Sequence, residues 1–366
     1  MKSFLTLMLL LLLFPSCSGN LLIGVSLTQS GEQSILGVDI RDGILLAAAN
    51  LESKRKFFEP KLELVLKDDE NSLALALSTD KKLLDLGVRA VLGHATSALS
   101  LEVLPLFNER NIALVSPTAS SRALAGLDDC FFRLVSSNDH ESAVLAEYAI
   151  SEWQTKNVVS ILDASNHVYG ISYADDFESV FREKGLRAPQ RLMFASSKDF
   201  DYQGFLSKSQ EILAEADCIL FICAPLDLAS FAQSYRLQGG RARFLSSGWA
   251  KSSDTLRHGG IAVEGLVFSE MFDQESTAKA FLDFKKQFSA RYGREPSGAA
   301  VQGYESLMYV QKALSSKSLF QSDISSFKNV RELEGLQGSI RFTPTGDALR
   351  PSSIVAIENG NFIKRK

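Results

Sequence analysis

The chain is 366 residues long, which allows two domains or three. With 45% hydrophobic and 22% charged residues it has an ordinary globular balance, which excludes a largely disordered chain and a polytopic membrane protein. Lys and Arg number 39 against 43 Asp and Glu, a formal net charge of -4 without basic blocks, so no nucleic-acid partner is expected.

Residues 1–17, MKSFLTLMLLLLLFPSC, read as an export signal. Lys2 supplies the positive start, and Phe4 to Phe14 runs without charge. As a helix that run spans about 16 Å, roughly half of a bilayer's hydrocarbon core, so it is read as a signal segment and not as a membrane span. Ser16-Cys17 follows directly, then polar Ser18-Gly19-Asn20. This resembles a bacterial lipoprotein signal, with Phe14 and Pro15 in the places usually held by Leu and a small residue. The expectation is cleavage before Cys17 and lipidation of its thiol, which would anchor an exported protein to a membrane. A cleaved soluble signal with an incidental Cys is the alternative.

Beyond the signal, short apolar runs alternate with longer amphipathic stretches. The pattern predicts strands at 21–27, 61–69, 88–94 and 112–118, with helices at 40–53, 71–87 and 97–111 between them. Gly87 reads as a helix C-cap, and Pro105 is expected to disturb the third helix. This order implies a parallel sheet with helices on both faces. The pattern then restarts, with helices at 140–154, 171–185, 205–216 and 228–240 and strands at 157–165, 186–196, 218–225 and 242–248. A strand at 265–271 and long helices at 277–293 and 300–316 follow. Two stretches of the tail alternate as strands, with turns at Thr345-Gly346-Asp347 and Asn359-Gly360. The fold class expected is α/β, two doubly wound lobes with parallel sheets. Cys130, Cys218 and Cys223 are expected to be buried free thiols, because Cys218 and Cys223 share one strand and point to opposite faces.

Ligands of doubly wound sheets sit outside the C-terminal ends of the strands. In the first unit those ends carry Gly93-His94-Ala95-Thr96-Ser97 and Ser116-Pro117-Thr118-Ala119-Ser120-Ser121. Both are rich in small hydroxyl residues, and both run into a stretch that can start a helix. Hydroxyls and free N–H groups converging in this way suit a carboxylate. The same residues could equally be helix caps. In the second unit the strand ends carry Tyr169, Asp227 and Trp249, and the two aromatics could wall a small apolar ligand body. No phosphate loop, dinucleotide fingerprint or nucleophile elbow is present, and no His pair has metal spacing, so neither cofactor nor metal is expected. His94 beside Ser97, with Asp68 or Asp69 to orient the imidazole, is the best enzymatic arrangement on offer, and it is a poor one. His94 is assigned no role beyond shaping its loop.

Several segments then appear in a known order: IGVSLTQSG, LGVDIRDGILLAAANLE, LVLKDDENS, VRAVLGHATSALS, IALVSPTASSRAL, CFFRLVSSND, EPSGAAVQGYESLMYVQKAL and LQGSIRFTPTGD. In order and spacing they make the chain resemble, along nearly all its length, the periplasmic Leu/Ile/Val-binding proteins, receptors of ABC amino-acid importers. The resemblance implies a type I periplasmic binding fold, two lobes joined by three hinge crossings that close on a small ligand. It implies residues 18–137 plus 271–347 for the first lobe and 138–270 plus 348–366 for the second. It places Ser97, Thr118 and Ser120 on the ligand's carboxylate, with Ala119 in the same loop, and Tyr169 on the second lobe.

Two places depart from the family. The stretch Ile222–Asp227 lacks the aromatic of the family's GGYYPE segment, and Ser247-Gly248-Trp249 stands where the family has an acid for the ligand's ammonium. Asp227 is the candidate replacement. The expectation is therefore a ligand whose carboxylate is held but whose α-amino group is absent or replaced by an amide. The function implied is a substrate-binding lipoprotein that hands an amino acid or related small carboxylate or amide to an ABC permease, in the periplasm or cell envelope. It is not expected to be an enzyme. A ligand sensor of the same fold acting through a partner protein is the runner-up, and a hydrolase the remote third.

Overall fold

The structure, a computed structural model, describes residues 20–31, 34–57, 59–315 and 322–365. The export signal with Cys17 lies outside the described residues. In chain order the first half reads β1 (Leu21–Leu27), α1 (Ser34–Lys54), β2 (Leu62–Asp68), α2 (Leu73–Asp85), β3 (Ala90–Leu92), α3 (Ser97–Arg110), β4 (Ala113–Ser116) and β5 (Phe131–Arg133). These five strands pair in parallel in the order β2-β1-β3-β4-β5. The chain next gives α4 (Asn138–Trp153), β6 (Val158–Asp163), α5 (His167–Glu183), β7 (Gln190–Phe194), α6 (Tyr202–Lys208), α7 (Gln210–Ala214) and β8 (Cys218–Ile222). Then come α8 (Pro225–Leu237), β9 (Arg243–Ser247), α9 (Ser253–Gly259) and β10 (Val267–Glu270). It returns to the first body with α10 (Lys279–Tyr292), α11 (Gly298–Ser315), α12 (Asp323–Lys328) and the strands β11 (Glu332–Gly335), β12 (Gly338–Phe342) and β13 (Ala348–Leu349). It ends with β14 (Ser353–Glu358) and β15 (Asn361–Lys364).

The second sheet has the order β15-β14-β10-β9-β8-β6-β7. Its core is parallel, and β14 and β15 add an antiparallel edge. The α/β class with parallel-dominated, doubly wound sheets is therefore present. Asn359 (φ 51°) and Gly360 (φ 70°) make the tight turn between β14 and β15, as their residue types predict. The chain passes between the body built on the first sheet and the body built on the second three times, after β5, after β10 and after β13.

Several expectations need correction. Helix α3 continues through Pro105, which falls on an exposed face of the helix. The stretch expected as one helix over 205–216 is two, because the Ser209 N–H is shared between the carbonyls of Phe205 and Leu206 and the turn tightens there. FFR, not among the expected strands, forms β5, and a small antiparallel sheet β11-β12-β13 covers the first body. Cys130, Cys218 and Cys223 are buried free thiols, and Cys218 and Cys223 fall in different core clusters on opposite faces of the second sheet.

Helices α1 and α11 pack backbone to backbone. A Cβ at Gly43 would stand 2.0 Å from the carbonyl oxygen of Ala300, and one at Gly303 would stand 2.3 Å from that of Ile40. Only glycine permits such an approach. The pair has a functional consequence, because Leu36 and Asp39 of α1 and Gln302 of α11 line the cavity described next.

Candidate functional site

Between the two sheets lies a cavity of about 470 Å³, walled by the C-terminal ends of strands from both. On the first side it begins at the N-terminus of α3. Thr96 caps that helix, its Oγ1 accepting the Leu99 N–H at 3.4 Å. Ser97 Oγ accepts the Ser121 N–H at 3.2 Å, which leaves the Ser97 hydroxyl proton available. Ser120 lines the cavity too, and its carbonyl, not its hydroxyl, is used by the Asn138 N–H at 2.8 Å. Two hydroxyl groups and the positive end of a helix dipole thus lie on the same side of the cavity, an arrangement that suits an anionic oxygen.

Two neighbours are placed differently from expectation. Thr118 lines the cavity, but its hydroxyl donates to the Ala95 carbonyl at 2.6 Å and so ties the two strand-end loops together. Its proton is not on offer to a ligand in this arrangement. Ala119 is absent from the cavity lining. It is 1% exposed, packs in the first core and gives its N–H to Ser116 Oγ at 2.9 Å.

The second side is aromatic and acidic. Tyr169, in the first turn of α5, and Trp249, in the turn after β9, meet edge to face with ring centroids 5.7 Å apart. Both line the cavity, as does Asp227 in the first turn of α8. The Asp227 carboxylate accepts the Ser196 hydroxyl at 2.9 Å and the Tyr202 hydroxyl at 2.6 Å.

Sequence reasoning missed two acids here. Glu141, in the first turn of α4, and Glu270, the last residue of β10, both line the cavity. The idea that the second lobe offers only Asp227 for an ammonium is therefore wrong. Burial raises the Glu141 carboxyl, the Gly248 N–H and Ser269 hydroxyl pull it back in part, and it stands at about 7. Burial likewise raises Glu270 against the pull of Lys251, whose Nζ is 2.7 Å away, to about 7. Extending the strand-end search to the strand expected at 265–271 would have found Glu270. Glu141 carries no such signal, since an acid in a helix's first turn reads as a dipole partner.

The enzymatic arrangement does not form. His94 is fully buried, with Nδ1 2.7 Å from Asp69 and Nε2 2.8 Å from Asp80. Both ring nitrogens are committed, so the imidazole cannot take a proton from Ser97. Asp68, the other candidate orienter, instead accepts the N–H groups of Gln29 and Glu70.

The chain is 23% identical over 364 residues to the Leu/Ile/Val-binding protein BraC3 of Rhizobium johnstonii, with 95% of each chain covered. It superposes on the leucine-binding protein LivK of Thermotoga maritima with a TM-score of 0.85, at 24% identity, over 94% of this chain and 98% of that one. A solute-binding protein of an R. palustris ABC transporter, solved in complex with benzoate, gives a TM-score of 0.83 at 16% identity, over 94% of this chain and 95% of that one. The fold is thus that of the type I periplasmic binding proteins, as the sequence resemblance implied. The family model described as periplasmic binding protein matches residues 21–361, and the chain belongs to that family.

Proposed function

We propose that the protein is an exported receptor that captures a small carboxylate-bearing solute, an amino acid or a related acid or amide, between two lobes. It delivers that solute to the permease of an ABC importer. The observation that carries the reading is a cavity of about 470 Å³ with Ser97 and Ser120 on one wall and Tyr169 and Trp249 on the other. That volume suits one small ligand. The names of the relatives support a small organic ligand, since they span Leu/Ile/Val and benzoate.

On this reading the first lobe is 18–137 plus 271–347 and the second is 138–270 plus 348–366. A ligand that touches both walls favours the closed form, and the permease reads that form. Among the described residues no helix is long and apolar enough to cross a membrane. On this reading a lipid on Cys17 attaches the protein to a membrane. A thermal-shift screen over amino acids, amides and small carboxylates tests the receptor role. A cognate ligand at a hundredfold excess over its Kd adds about 2.7 kcal/mol of stability, a clear rise in Tm. A flat screen would count against the reading.

A further inference from the structure

The loop after β4 serves both bodies with consecutive residues. Ser120 lines the cavity. Ser121 and Arg122, which begin a short turn of helix, reach instead to α5, the helix between β6 and β7 of the second sheet. The Ser121 hydroxyl donates to the Val168 carbonyl at 3.1 Å, the Arg122 N–H donates to Ser172 Oγ at 3.0 Å, and the Arg122 guanidinium pairs with Asp176. Beside them the Ala98 N–H, in the first turn of α3, donates to Asn166 Oδ1 at 3.3 Å. Val168, Ser172 and Asp176 are spaced four apart and so form one stripe along α5. These bonds join the body of the first sheet to that of the second, and none of their residues lies in the three crossings after β5, β10 and β13.

The ion pair is lopsided. Asp176 is 4% exposed, whereas the Arg122 side chain is 58% exposed. Among the described residues Asp176 Oδ2 has no hydrogen-bond partner. Burial pushes the Asp176 carboxyl up, to about 6; of the charges around it Arg122 opposes that rise, and Asp139 and Asp175 add to it. Arg122 therefore serves an acid of the second body that is otherwise poorly served, and it does so only while the two bodies are together.

We propose, resting on the reading that the two bodies close on a ligand, that Arg122 and Asp176 are a latch between them that acts without ligand. The chain's own contacts hold part of the empty protein closed, and a ligand finds that fraction of its closed site already formed. Neither Arg122 nor Asp176 is among the residues lining the cavity, so the latch raises the affinity for every ligand by the same factor. Without Arg122 the closed form keeps a buried acid that has lost its counter-ion, which lowers the closed-to-open ratio by about tenfold. From an even balance that leaves roughly one-tenth of the empty protein closed and weakens each ligand about fivefold.

The test is small-angle X-ray scattering of the protein stripped of bound solute, wild type beside Arg122→Ala, Asp176→Asn and Arg122→Lys. The radius of gyration should rise in Arg122→Ala and Asp176→Asn and stay near the wild-type value in Arg122→Lys, which keeps the cation. Equal radii for wild type and Arg122→Ala would overturn the latch; should Arg122→Ala fail to fold, Asp176→Asn answers the same question. Titrations with leucine and with benzoate give the second readout. Each probe that binds the wild type should bind Arg122→Ala about fivefold more weakly, by the same factor for both. A loss confined to one of them would make Arg122 a ligand contact and would also overturn the proposal. If neither probe binds, the receptor reading loses those two solutes, and the scattering of the empty protein decides the latch by itself.

Discussion

Oδ2 of Asp69 lies 2.7 Å from Nδ1 of His94, with both side chains sealed from solvent. The other ring nitrogen meets Asp80 at 2.8 Å, and Thr28 donates to the second oxygen of Asp69 at 2.6 Å. This cluster joins the ends of β1, β2 and β3 to α2, and Thr28 is itself part of the cavity wall. Burial alone would lower the His94 pKa, but Asp80 and Asp69 outweigh it and raise it to about 9. The imidazole is therefore a buried cation with a structural task, a larger role than shaping its loop.

Stability should follow that cation. Its contribution is fully present below the unfolded value of about 6.5 and is lost as pH rises through about 9. The loss is on the order of 3 kcal/mol. Asp69, held below its ordinary range by His94, adds stability that disappears as pH falls below 3.8. Urea unfolding from pH 6 to 10 measures the first effect. In His94→Gln the decline should vanish, and the variant should be less stable by about 3–5 kcal/mol, because two carboxylates lose their counter-ion.

Ser97 and Ser120 should carry ligand capture. Each hydroxyl offered to an anionic oxygen is worth roughly 1.5–3 kcal/mol. Ser97→Ala and Ser120→Ala should thus each weaken binding by about ten- to a hundredfold. Thr118→Val should instead act on the loops, through the lost bond to Ala95, and lower Tm. Calorimetry and melting curves on the three variants separate these outcomes; normal binding by both serine variants would make them helix caps only.

Gly43→Ala should destabilise the first lobe by about 1–3 kcal/mol, since the new methyl meets the Ala300 carbonyl, a backbone atom that cannot rotate away. Because α1 and α11 form part of the cavity wall, ligand affinity should fall as well. Denaturant midpoints and titrations on the same sample measure both.

Anchoring should depend on Cys17. Replacement by Ala is expected to move the protein from the membrane to the soluble fraction after cell disruption and ultracentrifugation. Membrane association that persists would remove the lipid anchor from the account.

Periodicity made the two α/β units legible, because alternating apolar runs and helical stripes report local geometry. Short or partly exposed pieces escaped. β5 has three residues, and its pairing with β4 is a matter of distant register. The strands β11 and β12 bury alternate residues only, against a lobe already formed. At the site, the hydroxyl loops were legible because strand ends announce themselves. The hydrogen bonds that tie Thr118 to Ala95 and Ala119 to Ser116 were not legible, because loop-to-loop contacts follow from three-dimensional closure. Glu141 was invisible because its neighbours Gly248 and Ser269 lie more than a hundred residues away in sequence.

The central claim is that Ser97 and Ser120 hold a carboxylate inside this cavity. It is tested most directly by titrating the protein with the tightest carboxylate from the thermal-shift screen and with the same molecule reduced to its primary alcohol. Losing the anionic partner of two hydrogen bonds should weaken binding by about a hundredfold or more. An alcohol that binds as tightly as its parent acid would contradict the account.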